Sequence, residues 1–316
     1  MEFNQFPKIY QILQKENLLP DGVLSNGNLL CRDNDGNKFV MKDLVGLEGV
    51  VYTDIFPSVN DQKIEFKILI LPKLYKIVDK FIFFEFYNGK SFNETWDEFK
   101  PNSLGGRGVP LNSVNMFIDL IFDFSKIDIS RLPTNLIEFD LDLWKSVHFK
   151  EMSKGLEKFG LLSKEQILQA NNILQSDNLF NKSKKILTNG DFYPRNFILM
   201  PDNKIVVIDW EGRTDINFEQ NIPGYRNAMV NFIENHVAFL YVHMWGNPLF
   251  QQALLKKSIA TFNLDAENVR ASILIKSLEQ AFLWIHNYDG ASYLSMDQVQ
   301  IFVNMFNLSY FESIIS

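Results

Sequence analysis

The chain has 316 residues, 46% hydrophobic and 22% charged, with 31 basic against 38 acidic residues for a net charge of −7. That length and apolar content can bury a large core, which excludes a mainly disordered chain and suggests about two domains. The acidic balance argues against nucleic acid as a partner, since a general nucleic-acid coat carries a basic excess. The single cysteine, Cys31, excludes an internal disulfide and a cysteine metal cage, and suits a reducing compartment. Met1 to Gln5 lack the basic start and apolar run of a signal peptide. No uncharged apolar stretch reaches the ~18 residues of a membrane helix. A cytoplasmic protein with no membrane contact, monomeric or homodimeric, is the expectation.

Residues 1–88 read as a small, strand-rich unit. Leu29–Cys31 and Lys38–Lys42 flank Asp33-Asn34-Asp35-Gly36-Asn37, a β-hairpin signal around an Asp-Gly turn. Ile64, Ile68 and Leu71 recur at helical spacing after Ser58 and Asn60, which predicts a helix that Pro72 stops. Leu74–Val78 and Phe81–Phe86 read as two strands joined at Asp79-Lys80. Composition shifts at Tyr87-Asn88-Gly89-Lys90, and residues 89–316 read as mainly helical. Helices are expected over Val114–Phe124, over Leu143–Leu174 with a break near Gly160, over Asn227–Trp245, and two or three times more before the end. Gly105 to Pro110 is glycine-rich but lacks the Gly-Lys-Ser/Thr of a phosphate loop, and reads as a surface loop or a cover for substrate.

The chemistry concentrates in Thr188-Asn189-Gly190-Asp191-Phe192-Tyr193-Pro194-Arg195-Asn196 and the segment that follows it. Phe197–Met200 and Ile205–Asp209 are apolar runs around a four-residue turn, which predicts a hairpin. If Met200 pairs with Ile205, Asn196 faces Asp209, with Cβ atoms roughly 4.5–5.5 Å apart. A carboxylate and an amide oxygen at that distance suit a hard cation such as Mg²⁺ that keeps waters and nucleotide phosphates. Asp191 lies five residues before Asn196, in a loop that Pro194 stiffens. There it can orient and deprotonate an acceptor hydroxyl, the Asp-x₄-Asn spacing of kinase catalytic loops. Any one of these residues alone is an ordinary turn residue; the joint spacing carries the reading.

Asn189-Gly190-Asp191-Phe192-Tyr193-Pro194-Arg195-Asn196-Phe197-Ile198-Leu199, followed by Val207-Ile208-Asp209-Trp210-Glu211, resembles the aminoglycoside phosphotransferase and choline kinase superfamily. The strong match covers 24 residues, 188–211. The resemblance implies an α+β, protein-kinase-like, two-lobed fold. It also implies a Mg²⁺-dependent transfer of the γ-phosphate of ATP or GTP to a small-molecule hydroxyl. By resemblance Asp191 is the catalytic base, and Asn196 and Asp209 are the metal ligands. The family's motif commonly has His where this chain has Asn189. A nucleotide-binding pseudokinase or scaffold without turnover is the alternative that this departure allows.

The resembled fold requires a strand lysine, met by Lys42, and a helix glutamate to pair with it, for which Glu65 is the choice and Glu48 the alternative. Its hinge matches Phe83–Gly89, with backbone groups of Glu85 and Tyr87 facing an adenine edge. Leu24–Asn28 stands where a phosphate-covering loop belongs. Arg195 can brace a phosphate or a nearby carboxylate, and Glu211 and Arg213 can touch metal or acceptor. His236 and His243, seven apart, share a helix face and read as packing residues. Glu138, Asp140 and Asp142 alternate with apolar residues and read as a solvated face, or an acidic wall for a cationic acceptor.

Overall fold

The computed structural model describes residues 6–24, 28–92, 111–133, 136, 138–210, 228–245 and 247–286. Helix α1 (Phe6–Lys15) precedes strands β1 (Leu19–Val23), β2 (Leu29–Arg32) and β3 (Lys38–Asp43). Strands β5 (Leu74–Val78) and β6 (Phe81–Glu85) complete an antiparallel sheet of order β1-β2-β3-β6-β5. The Asp-Gly turn forms as expected: the Asp33 carboxylate accepts the Asp35 and Asn37 N–H groups, and Gly36 takes a positive φ of 87°. Alternation along β3 and β6 makes two faces. Phe39, Met41, Phe81 and Phe83 join Ile9, Ile12 and Leu13 of α1 in an outer core, which buries Cys31 and pushes its thiol up to about 12. Val40, Ile82 and Phe84 face the main core, and Lys42 shares their side of the sheet. The sequence reading missed α1, although Ile9, Ile12 and Leu13 have the i, i+3, i+4 spacing of a buried helical stripe.

The helix expected from Ser58 through Leu71 is displaced toward the N-terminus. Glu48–Val50, a π-helical turn Val51–Ile55 and Phe56–Asn60 run on as one helix, α2, burying Val51, Tyr52, Ile55, Phe56 and Val59. Residues 64–68 are irregular and lead into the short strand β4 (Leu69–Ile70). The cause is Asp123, whose carboxylate accepts the N–H groups of Lys67, Ile68 and Leu69 at 2.7 to 2.9 Å. Three successive amides engaged by one carboxylate are unavailable to an α-helical ladder. Burial opposes the charge on Asp123, but these bonds and Lys126 hold its carboxyl below the usual range.

Strands β9 (Phe197–Leu199) and β10 (Ile205–Val207) form the expected hairpin. They sit in a second sheet of order β4-β10-β9-β7, where β7 is Lys90–Ser91 and β4 joins in parallel. Gly89 lies so close to β9 that a Cβ there would stand 2.6 Å from Leu199 O and from Ile198 Cγ2. Only glycine permits that approach.

The helical part follows. Helix α3 (Ser113–Ser125) matches the expected Val114–Phe124. Leu141–Leu143, a π-helical stretch Trp144–Phe149 and Lys150–Lys158 continue as α4, and Gly160, at φ 70°, separates it from α5 (Lys164–Leu174). The expected helix over Asn227–Trp245 is shorter. Val230–Phe232 is strand β11, paired with β8 (Lys185–Leu187), and only Ile233–His243 is helix α6. Every residue of α6 is buried, under α7 (Pro248–Phe262) and α8 (Ala266–His286). Among the described residues, no helix is long and apolar enough to cross a membrane.

Candidate active site

The hairpin register differs by one from the expected pairing. Ile205 faces Leu199, Val206 faces Ile198 and Val207 faces Phe197, so the Ile208 N–H donates to Asn196 O at 2.9 Å. Asn196 therefore faces Ile208 rather than Asp209. Asp209 is brought round by its backbone, a non-glycine residue at φ 65°, in the left-handed region that L-residues rarely occupy. Such local strain persists only where neighbours over-determine it. Here Trp210 is the anchor: it is fully buried, its indole N–H donates to Val207 O at 2.6 Å, and its ring meets Phe56 edge-on at 4.9 Å. Phe56 belongs to α2, so one aromatic contact couples the residue after Asp209 to the helix of Glu48.

The turned carboxylate of Asp209 meets Lys42. Lys42 Nζ donates to Asp209 Oδ1 at 2.9 Å and pairs with Glu48 Oε1 at 2.9 Å. Burial opposes the charge on Lys42, but Asp209 and Glu48 outweigh it and hold the ammonium protonated above its ordinary range. The glutamate partner is thus Glu48, one residue into α2 and 1% exposed, and not Glu65. Glu65 lies in the irregular stretch before β4, where its carbonyl accepts from Lys126 Nζ at 2.9 Å. Tyr52, one turn after Glu48, is buried with its hydroxyl unpartnered; burial and the nearby carboxylates of Glu48 and Asp209 raise its pKa.

Asp191 and Asn196 are tied to each other. Asn196 Nδ2 donates to Asp191 O at 3.0 Å and to Asp191 Oδ2 at 3.1 Å, which commits the amide nitrogen and leaves Oδ1 as the acceptor. Gly190, at φ 81°, makes the turn into Asp191. Arg195 Nη2 lies 3.7 Å from Asp191 Oδ2 and its guanidinium stands 5.2 Å over the Tyr193 ring, so it faces a carboxylate rather than a buried anion site.

Asn189 is 1% exposed, and its Nδ2 donates at 3.0 Å both to Asp191 O and to Ile208 O. One amide thereby joins the loop carrying Asp191 to the strand end carrying Asp209. Two carbonyl acceptors fix which end of the amide is nitrogen, because the flipped amide would set oxygen against oxygen. The motif position that departs from the family pattern is thus occupied by a working brace. His236 and His243 act from the other side: His236 packs on Phe192 at 5.3 Å and His243 on Tyr193 at 4.6 Å, ring edge to ring face. Both are packing residues, as expected, and among the described residues no group of three His, Cys, Asp or Glu could hold a metal.

At the expected hinge, the Glu85 N–H donates to Lys73 O at 3.0 Å, so that amide is committed within the sheet. The Tyr87 N–H has no partner among the described residues, and the Tyr87 phenol, pushed up to about 12 chiefly by burial, accepts from the Lys73 N–H at 3.0 Å. Glu138 pairs with Lys185, Asp142 with Lys145, and Asp140 caps α4 at the Leu143 N–H, so the three acids serve surface and helix-end roles. Ser25–Gly27, Gly105–Pro110, Glu211 and Arg213 lie outside the described residues.

No protein-family model matches this sequence, and no curated protein does. Solved structures do match along nearly the whole chain. An aminoglycoside phosphotransferase from Alicyclobacillus acidocaldarius matches at a TM-score of 0.58 and 11% identity, over 94% of this chain and 92% of its own. A macrolide 2′-phosphotransferase from Brachybacterium faecium matches at 0.54 and 11%, over 95% and 98%. An ethanolamine kinase from Plasmodium vivax matches at 0.54 and 12%, over 95% and 85%. The chain therefore has the mixed α+β, kinase-like fold of the aminoglycoside phosphotransferase and choline kinase group, as the motif implied.

Proposed function

We propose that this protein is a small-molecule kinase that moves the γ-phosphoryl group of ATP or GTP to a hydroxyl of a sugar, amino alcohol or aminoglycoside-like acceptor. The observation that carries the reading is the convergence of Lys42, Glu48 and Asp209 in one ion cluster, with Asp191 and Asn196 braced beside it through Asn189. The neighbours of the same fold are, by their own descriptions, aminoglycoside and macrolide phosphotransferases and an ethanolamine kinase. We take residues 1–88 as the nucleotide lobe and 89–316 as the lobe with the catalytic loop and acceptor pocket, in a cytoplasmic protein.

In this reading Lys42 holds nucleotide phosphates as a compact charge, with Glu48 fixing its position. Asp191 accepts the acceptor hydroxyl's proton. The amide bond from Asn196 to Oδ2, and Arg195 at longer range, set that carboxylate's orientation. Arg195 thus braces the base rather than the phosphate. The Tyr87 N–H offers a donor to the adenine edge, and Glu85 enters through its backbone carbonyl only. The donor set fits Mg²⁺: Asp209 supplies a carboxylate and Asn196 an amide oxygen, hard ligands that leave room for water and phosphate. When bound, the ion neutralises charge on the β- and γ-phosphates. Its two protein ligands are held in place beforehand, by Trp210 and by Asp191, which is the positioning this chemistry depends on.

Turnover with ATP and GTP should be assayed against sugars, amino alcohols, aminoglycosides and macrolides. Asp191→Ala is expected to abolish transfer while leaving nucleotide binding intact. Asp209→Ala is expected to remove the Mg²⁺-dependent part of nucleotide affinity. Unchanged turnover in Asp191→Ala overturns the base assignment. Nucleotide binding without transfer to any acceptor favours the non-catalytic alternative.

A further inference from the structure

We infer that the groove between α4 and α5 is a binding site for a small amphipathic anion, a phosphomonoester on an apolar body. This is independent of the reading of Asp191 and Asp209. The groove is open to solvent and offers about 530 Å³, within the volume range of small-molecule sites. Lys145, Lys150, Lys154, Lys164 and Glu157 line it, and with Asp142 on Lys145 counted its wall still carries a net +2 in a chain of net charge −7. Lys145 pairs with Asp142, while Lys150, Lys154 and Lys164 have no ion-pair partner among the described residues.

Folding does not explain this arrangement. Lys150 and Lys154 stand four apart on one helix, a like-charge spacing that destabilises a helix by about 0.2–0.5 kcal/mol. The floor is apolar. Phe149 and Ile167 contribute to it, and Leu168 is 59% exposed. The Ser153 hydroxyl on the same wall is buried without a hydrogen-bond partner. An apolar floor between unpaired ammonium groups matches a ligand with a charged head and an apolar body.

Helix α4 packs on α8, α8 on α6, and α6 carries the histidines that touch Phe192 and Tyr193. Helices α8 and α6 thus form a continuous packed path between the groove and the catalytic loop.

The test is calorimetric titration of the full chain with monomeric octyl phosphate, with inorganic phosphate and octyl glucoside as controls that each lack one feature. The expected result is saturable one-to-one binding of octyl phosphate, weakened by salt and undisturbed by saturating Mg-ATP. Each control should bind at least about tenfold more weakly, as should the octyl phosphate complex of the Lys150→Glu/Lys154→Glu variant. Leu168→Gln should weaken octyl phosphate but not inorganic phosphate. Equal binding of octyl glucoside, equal binding by the charge-reversed variant, or competition by Mg-ATP overturns the inference. So does binding confined to phosphatidylglycerol vesicles, which would make the lysines a membrane-facing patch.

Discussion

Replacing Asn189 separates the brace from the chemistry. Asn189→Ala deletes two buried hydrogen bonds of 3.0 Å, to Asp191 O and Ile208 O. The two carbonyls are not equally exposed to the loss. Asp191 O keeps the Asn196 amide and the Tyr193 N–H, whereas Ile208 O has no other donor among the described residues. Leaving Ile208 O unsatisfied costs about 1–3 kcal/mol, and the bond lost at Asp191 O adds about 1 kcal/mol, so the variant should be less stable by roughly 2–4 kcal/mol. Asn189→Asp keeps the shape but sets a carboxylate against both carbonyls, and should be worse than alanine at neutral pH. Lowering the pH toward protonation restores one O–H donor and should narrow that gap. Urea unfolding reads this directly, as a shift in midpoint at constant slope. Catalysis should fall further than stability requires under conditions where the variant is fully folded, because the same amide sets Asp191 against Asp209. If the aspartate variant is as stable as the alanine variant across pH, or if folded Asn189→Ala transfers phosphate at the native rate, the amide is not the brace and the loop is held by Phe192 and Tyr193 alone.

Three further outcomes follow from the geometry. Glu48→Ala should lower stability by up to about 3 kcal/mol and reduce phosphate affinity, because Lys42 loses one of the two carboxylates that hold it, while Glu65→Ala should stay within about 0.5 kcal/mol; nucleotide titration and urea melts of the two variants compare them. Asp123→Asn should cost about 2–4 kcal/mol and free the stretch before β4, since an amide cannot accept from Lys67, Ile68, Leu69 and Lys126 as a carboxylate does; hydrogen exchange at Lys67–Leu69 would show it. His236, pulled down to about 3 by burial and Lys276, and His148, pulled down to about 4 by burial, are neutral when folded and protonate in the unfolded chain near the ordinary value of about 6.5. Their contribution is full above pH ~6.5 and is lost as pH falls, to about 4 for His148 and about 3 for His236, so His236→Phe should flatten the stability profile between about pH 3 and 6.5 by about 1.4 kcal/mol per pH unit. An unchanged slope would mean that His236 is already charged or exposed in the native state.

The parts of the fold that were legible in the sequence are those whose cause is local. The Asp33–Asn37 turn carries its own capping carboxylate, and β3, β5 and β6 carry β-branched and aromatic runs with their turns marked. The parts that were not legible depend on distant partners. Residues 64–68 have a helical apolar spacing, and Asp123, 54 to 56 positions away, takes the amides a helix would need. Val230–Phe232 looked continuous with α6 because a buried helix and a buried strand are both unbroken apolar runs; pairing with β8 decides between them.

The site divides the same way. Asp191, Asn196 and Asp209 were legible because their spacing is set by one hairpin, and a shift of one in its register did not separate Asp209 from the cluster. Period-two alternation alone would have turned Asp209 to the opposite face after such a shift. The left-handed backbone at Asp209 counteracts it, and a β-turn signal cannot announce such a conformation, because aspartate carries no marker for positive φ where glycine would. What permits it is the tryptophan that follows, fixed in the core by Phe56 and Val207. The Asp-Trp pair is therefore one device: the indole holds a strained turn, and the turn presents the carboxylate to Lys42. The choice between Glu48 and Glu65 lay outside any such local device, since it depended on the placement of α2, and the stretch after Glu65 is held out of a helix by a carboxylate on α3.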